Sequence, residues 1–258
     1  MKDFESKRVR TGNYTPQKES DESGILAKCS TQETRHKMSM PEIKDIRKRI
    51  SKTKNEEIRN ALTLMYLTCG RAKEIISRTT VGDQSGRNIA SGPKGTDTRI
   101  TNFGDFEIAL FNIYTQKRDG LKRIIALPTE YEPMAKPLHE YMTGFGDKPV
   151  FNFTRQQFWS KGKPQFDGYT YSIYKYTIWE DGKLVKTVDK HDKNFTLHAL
   201  RHLRAGELVE YYGFTGFDLA TYGGWTMRSS VGISSQFDRY VSLDWRSYVG
   251  KLFKKRSW

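Results

Sequence analysis

Apolar residues along this chain fall into three regimes. Residues 1 to 38, opening "MKDFESKRVRTGNYTPQKES", are polar and charged with no apolar periodicity, which predicts a flexible tail or linker without a core. Helical spacing begins at "SMPEIKDIRKRISK", where Ser39 and Glu42 stand at capping-box distance and Pro41 falls in the first turn. A second helix is predicted over "NEEIRNALTLMYLTCG", with Ile58, Ala61, Leu62 and Met65 on one stripe and Gly70 as its stop. A short third helix follows from Arg71 in "RAKEIISRTT". Strand spacing takes over in "FEIALFNIY" and "LKRIIALP", joined by "TQKRDG" into a hairpin whose tip carries Lys117, Arg118 and Lys122. A second hairpin is predicted in "YTYSIYKYTIWEDGKLVKTVD" around Asp181 and Gly182.

Between the third helix and the first hairpin, "GDQSGRNIASGPKGTDTRITNFGD" is rich in Gly, Ser and Asp and reads as loop or weak hairpin. "TEYEPMAKPLHEYM" is helical in pattern, with internal prolines that blur its ends. From Thr196 the chain is helical in pieces, stopped at Gly213, Gly216, Gly223 and Gly224. Helices therefore outnumber strands, and the fold class expected is α+β, mainly helical, with small hairpins or sheet.

Charge narrows the partners. The chain has 258 residues with 44 Lys plus Arg against 30 Asp plus Glu, a formal net charge of +14 and a pI near 9.6, which favours a polyanion such as nucleic acid. Apolar runs such as "ALTLMYL" are far shorter than the roughly 20 residues of a spanning helix, and no apolar leader opens the sequence, so an intracellular, cytoplasmic protein without a membrane partner is expected. Cys29 and Cys69 form no CxxC pair, which implies neither a disulfide framework nor a cysteine zinc site.

Two of the five histidines lie in "TLHALRHLRAGELV", where His198, Arg201 and His202 occupy positions i, i+3 and i+4 and are expected to share a helix face. The spacing of His198 and His202 is that of the HExxH zinc motif, but Ala199 stands where the catalytic Glu belongs and no third ligand is evident. No metal site is expected. Read alone, this cluster fits a packed histidine and an arginine paired with a carboxylate.

It is not alone. "LTLMYLTCGRAKEI", "TQKRDGLKRIIALP", "TLHALRHLRAGELV", "TYGGWT" and "FDRYVSLDW" occur in that order, and in them the chain resembles the catalytic domain of the tyrosine recombinase, or phage-type integrase, family. That family's TGxRxxE pattern is matched by Arg71, with Glu74 as supporting acid, and its hairpin lysine by Lys117. Its HxLRH helix start is matched by His198 and Arg201 with His202 in support, its Gly-Trp box by Gly224 and Trp225, and its nucleophile by Tyr240. Tyr248 would take that last place only if the segment after Trp225 were shifted, and Tyr222, at helical spacing from Leu219, fits core packing better. The Trp225 to Tyr240 and Arg71 to Lys117 intervals are both longer than is usual in the family, and the short N-terminal segment does not hold the core-binding domain that normally comes first.

The resemblance implies a tyrosine recombinase catalytic-domain fold over residues 39 to 258 and a DNA-strand-transferring enzyme without cofactor, metal or ATP. It implies four protomers assembled on double-stranded DNA. Its residue types suit the chemistry: two arginines can neutralise charge on the nonbridging oxygens of a pentacoordinate phosphorus, and a hairpin lysine can protonate the leaving 5′ oxygen. Within the same chemistry a type IB topoisomerase or telomere resolvase is the alternative, and outside it a non-catalytic DNA-binding protein on this scaffold.

Overall fold

The structure is a computed structural model, and it describes residues 30–35, 40–76, 92–115, 122–180, 183–224 and 244–254. Two units separate within it, one gathering the first strand with the second hairpin and the other holding the remaining elements. The architecture mixes helices with small antiparallel sheets, as an α+β protein does.

The smaller unit is a three-stranded antiparallel sheet of β1 (Ser30–Arg35), β5 (Thr170–Glu180) and β6 (Lys183–Asn194), in the order β1-β5-β6. Glu180 pairs with Lys183, as a hairpin around Asp181 and Gly182 requires, although those two residues lie outside the described ones. Strand β1 was not expected, since it lies in the segment read as a tail. Its sequence, STQETR, has no apolar residue for periodicity to detect, and it is a strand because its main chain pairs with β5, Glu33 opposite Lys175 and Gln32 opposite Tyr176. The hairpin read as part of a domain starting at residue 39 thus belongs with a strand from before that boundary.

In the larger unit the helices are α1 (Met40–Ser51), α2 (Glu56–Leu67), α3 (Ala72–Ile75), α4 (Ala135–Thr143), α5 (Arg155–Gly162), α6 (Leu197–Glu210), α7 (Gly216–Gly223) and α8 (Arg246–Val249). Ser39, the expected cap of α1, lies outside the described residues. Helix α1 buries Ile43, Ile46 and Ile50 at helical spacing. Helix α2 is capped by Asn55, whose side chain accepts the Ile58 N–H at 2.9 Å, and it is central: Asn60 through Leu67 are all buried, not only the stripe the sequence shows. Pro137 sits in the first turn of α4, where a helix has no partner for the missing N–H. Helix α5 was not anticipated; Thr154 and Gln157 form a reciprocal capping box at its start.

Against these helices lies a sheet of order β2-β3-β4, all antiparallel: β2 (Thr98–Phe103), β3 (Phe106–Tyr114) and β4 (Lys122–Pro128). The first hairpin is as expected, with Phe111 opposite Ile125 and Tyr114 opposite Lys122, while β2 comes from the Gly- and Ser-rich stretch read as loop or weak hairpin. Helix α8 returns the chain to β4, where the Tyr248 hydroxyl donates to the Ile124 carbonyl and accepts the Ala126 N–H, both at 3.2 Å. Among the described residues no helix is long and apolar enough to cross a membrane.

Candidate functional site

The site grows from the end of α2. The Gly70 N–H bonds back to the Met65 carbonyl at 2.9 Å and the Cys69 N–H to Tyr66 at 3.2 Å, the two bonds of a Schellman turn. Cys69 is the left-handed residue of that turn, with φ +50, at the position where the TGxR pattern has glycine. At Gly70 a Cβ would lie 2.8 Å from Ile75 Cδ1, so a larger residue there would have to displace that side chain. The turn delivers Arg71 as the N-cap of α3, and Glu74 reaches back to it. One Glu74 oxygen accepts the Arg71 N–H at 2.9 Å and the other accepts Arg71 Nη1 at 2.8 Å.

Glu74 is buried, and two further arginines converge on it. Arg123, from β4, donates Nη2 to it at 3.3 Å, and Arg201, from α6, brings Nη1 within 3.9 Å. Burial alone would raise the Glu74 carboxyl, but the Arg123 guanidinium and the bonds from Arg71 outweigh it and hold the group below the ordinary carboxylate range. Among the described residues, three guanidinium groups therefore face this one carboxylate. Arg201 feels its neighbours: burial first, then Arg71 and Arg123, pulls its pKa down to about 10, so it stays cationic at neutral pH.

Arg123 and Arg201 also tie the same two pieces of main chain together. Arg123 Nη1 donates to the Thr68 carbonyl at 2.7 Å and to the Tyr222 carbonyl at 2.6 Å. One residue further along each segment, Arg201 donates Nη1 to Cys69 at 2.5 Å and Nη2 to Gly223 at 3.0 Å. Gly224, which ends α7 with φ +63, closes against Arg123, and a Cβ on it would lie 2.9 Å from Arg123 Cδ.

A second ionic cluster lies in the same unit. Arg47 grips Glu132 with two bonds of 2.7 Å, Arg204 meets Glu207 at 2.5 Å, and Arg47 and Tyr66 also reach Glu207, at 3.2 and 2.8 Å. The bonds of these two arginines and two glutamates join α1, α2 and α6.

Of the residues singled out in the sequence, Arg71, Glu74 and Arg201 are brought together, and His198 and His202 stack edge to face with ring centroids 4.9 Å apart. The expectation of one shared face is corrected for Arg201. His198 is exposed, whereas the Arg201 side chain turns inward and is only 2% exposed; that of Arg71 is 26% exposed. Lys117, Trp225 and Tyr240 lie outside the described residues. Both alternative tyrosines are buried: Tyr222 donates its hydroxyl to the Leu67 carbonyl and accepts from Arg204, and Tyr248 is bonded to β4 as above. Burial raises both phenols far above their ordinary range.

Arg123 was not singled out by sequence. A signal for it existed, since strand alternation places Arg123 in phase with Ile125 and Leu127, on the buried side of β4. Among the described residues no group of three or more His, Cys, Asp or Glu side chains is placed to hold a metal ion.

No protein-family model, no curated protein and no solved structure matches this chain.

Proposed function

We propose that this chain is a site-specific DNA recombinase of the tyrosine recombinase, or integrase, kind, with the catalytic-domain fold of that family in its larger unit. The observation that carries the reading is the convergence of Arg71, Arg123 and Arg201 on the buried Glu74 carboxylate, between the turn after α2 and the end of α7. Such a site favours an anion whose charge grows during reaction, and a pentacoordinate phosphorus is one. The net charge of +14 suits a double-stranded DNA partner.

In this mechanism the Tyr240 hydroxyl gives its proton to His198 or His202 as its oxygen attacks a DNA phosphorus, the bond from phosphorus to the 5′ oxygen breaks, and Lys117 gives that oxygen its proton. Arg71 and Arg201 stabilise the nonbridging oxygens, with His198 and Trp225 as further hydrogen-bond donors, Glu74 in support of Arg71 and His202 beside His198. The product is a 3′-phosphotyrosyl link that conserves the bond energy, so a 5′ hydroxyl from another strand reverses the step without ATP. Metal and cofactor have no part in this scheme. Four protomers on two paired DNA sites, in the host cytoplasm, complete the proposal.

The test is incubation of the full chain with a pool of nicked duplexes of randomised sequence, which lose the short 5′ fragment on cleavage and so trap the adduct. A denaturing gel should show a covalent protein–DNA species formed in the presence of EDTA. DNA binding without any adduct would favour the non-catalytic reading, and relaxation of supercoiled plasmid without strand exchange the topoisomerase one.

A further inference from the structure

Arg123 and Arg201 form two parallel staples between the turn after α2 and the end of α7: Thr68 to Tyr222 through Arg123, Cys69 to Gly223 through Arg201. Under the reading above, Arg201 must direct its guanidinium at a phosphate, yet both of its terminal nitrogens are engaged by main-chain carbonyls. We infer that Arg123 is a positioning residue, which keeps these two turns joined so that Arg201 can exchange its carbonyl partners for phosphate oxygens without the turns parting. The inference rests on the proposed function for its catalytic half and on geometry alone for its structural half.

Their distances to Glu74 assign the two staples different tasks. Arg123 adds a bond to Glu74 at 3.3 Å, whereas Arg201 comes no nearer to that carboxylate than 3.9 Å. Arg123 is thus the fixed member of the pair and Arg201 the exchangeable one.

Amide hydrogen exchange of the full chain tests the structural half without DNA. Arg123→Met should speed exchange at the Cys69 and Gly70 amides about ten- to a hundredfold, the scale of losing charge-assisted bonds, and leave the Phe158 amide of α5 unchanged. Arg201→Met should change the same two amides by less than about threefold. Equal loosening in the two variants, or none in Arg123→Met, overturns the inference. If Arg123→Met does not fold, Arg123→Lys and Arg201→Lys carry the same comparison.

The catalytic half is read on the adduct assay. Arg123→Met should lower the rate of adduct formation on the order of 10²-fold, as small misplacements of catalytic groups do, while DNA affinity stays within about threefold. Arg123→Lys, whose ammonium can meet the Thr68 and Tyr222 carbonyls, should recover most of that loss. Recovery of turn protection by lysine without recovery of cleavage would overturn the positioning role, because Arg123 would then act on the phosphate directly. If wild-type protein forms no adduct while the exchange pattern holds, the recombinase reading fails and the staple stands.

Discussion

Replacing Glu74 by glutamine tests whether the carboxylate organises the arginine cluster. The substitution keeps the side-chain shape but removes the charge and exchanges one acceptor oxygen for an NH2 that faces donors. Glu74 accepts from the Arg71 N–H at 2.9 Å, Arg71 Nη1 at 2.8 Å and Arg123 Nη2 at 3.3 Å, and its side chain is fully buried. Breaking a buried ion pair by removing one partner costs about 3 to 5 kcal/mol, because the remaining charges lose their counterion. For a chain of this size that lowers the melting temperature by about 6 to 20 °C.

The effect must also depend on pH. The carboxyl is held below its unfolded value, so its contribution is fully present above the unfolded pKa of about 4.3 and is lost as pH falls through the lower folded value. Melting followed by circular dichroism at pH 7 and in steps from pH 5 downward should show the variant approaching wild type as acid is added. A Glu74→Gln protein within about 1 kcal/mol of wild type at pH 7, or one whose deficit does not shrink in acid, would refute the argument.

Tyr248→Phe removes a buried hydroxyl that serves the Ile124 carbonyl and the Ala126 N–H, so urea unfolding should show a loss of about 1 to 3 kcal/mol, with adduct formation retained. Gly224→Ala forces a Cβ into the left-handed region and 2.9 Å from Arg123 Cδ; a loss of about 1 to 3 kcal/mol with impaired cleavage is expected, and an unchanged melting curve would contradict it. Chelation with EDTA should leave cleavage intact, whereas loss of cleavage restored by Mg²⁺ would point to a two-metal nuclease.

What the sequence disclosed of this architecture was whatever local periodicity carries. Helices α1 and α2 and the β3–β4 and β5–β6 hairpins follow from apolar spacing and turn dipeptides. Strand β1 does not, since its six polar residues become a strand only through pairing with β5, far along the chain. Arg71 and Glu74 are legible because a capping pair is local. The direction of Arg201 is not: on a helix it lies about 100° from His202, enough to turn one into the interior while the other stacks on His198. Arg123 stayed hidden because its partners, at Thr68, Glu74 and Tyr222, come from three separate elements, although its phase with Ile125 marked it as a charge on a buried face. The left-handed position after α2 fell on Cys69 and not on the glycine beside it, where a Cβ would meet Ile75.

The central claim is that Tyr240 joins to DNA, and peptide mapping of the trapped adduct tests it most directly. After nuclease and protease digestion, mass spectrometry should find the residual nucleotide on the peptide containing Tyr240, and Tyr240→Phe should form no adduct while still binding DNA. A nucleotide on Tyr248 or another tyrosine, or an adduct that persists in Tyr240→Phe, would contradict the account.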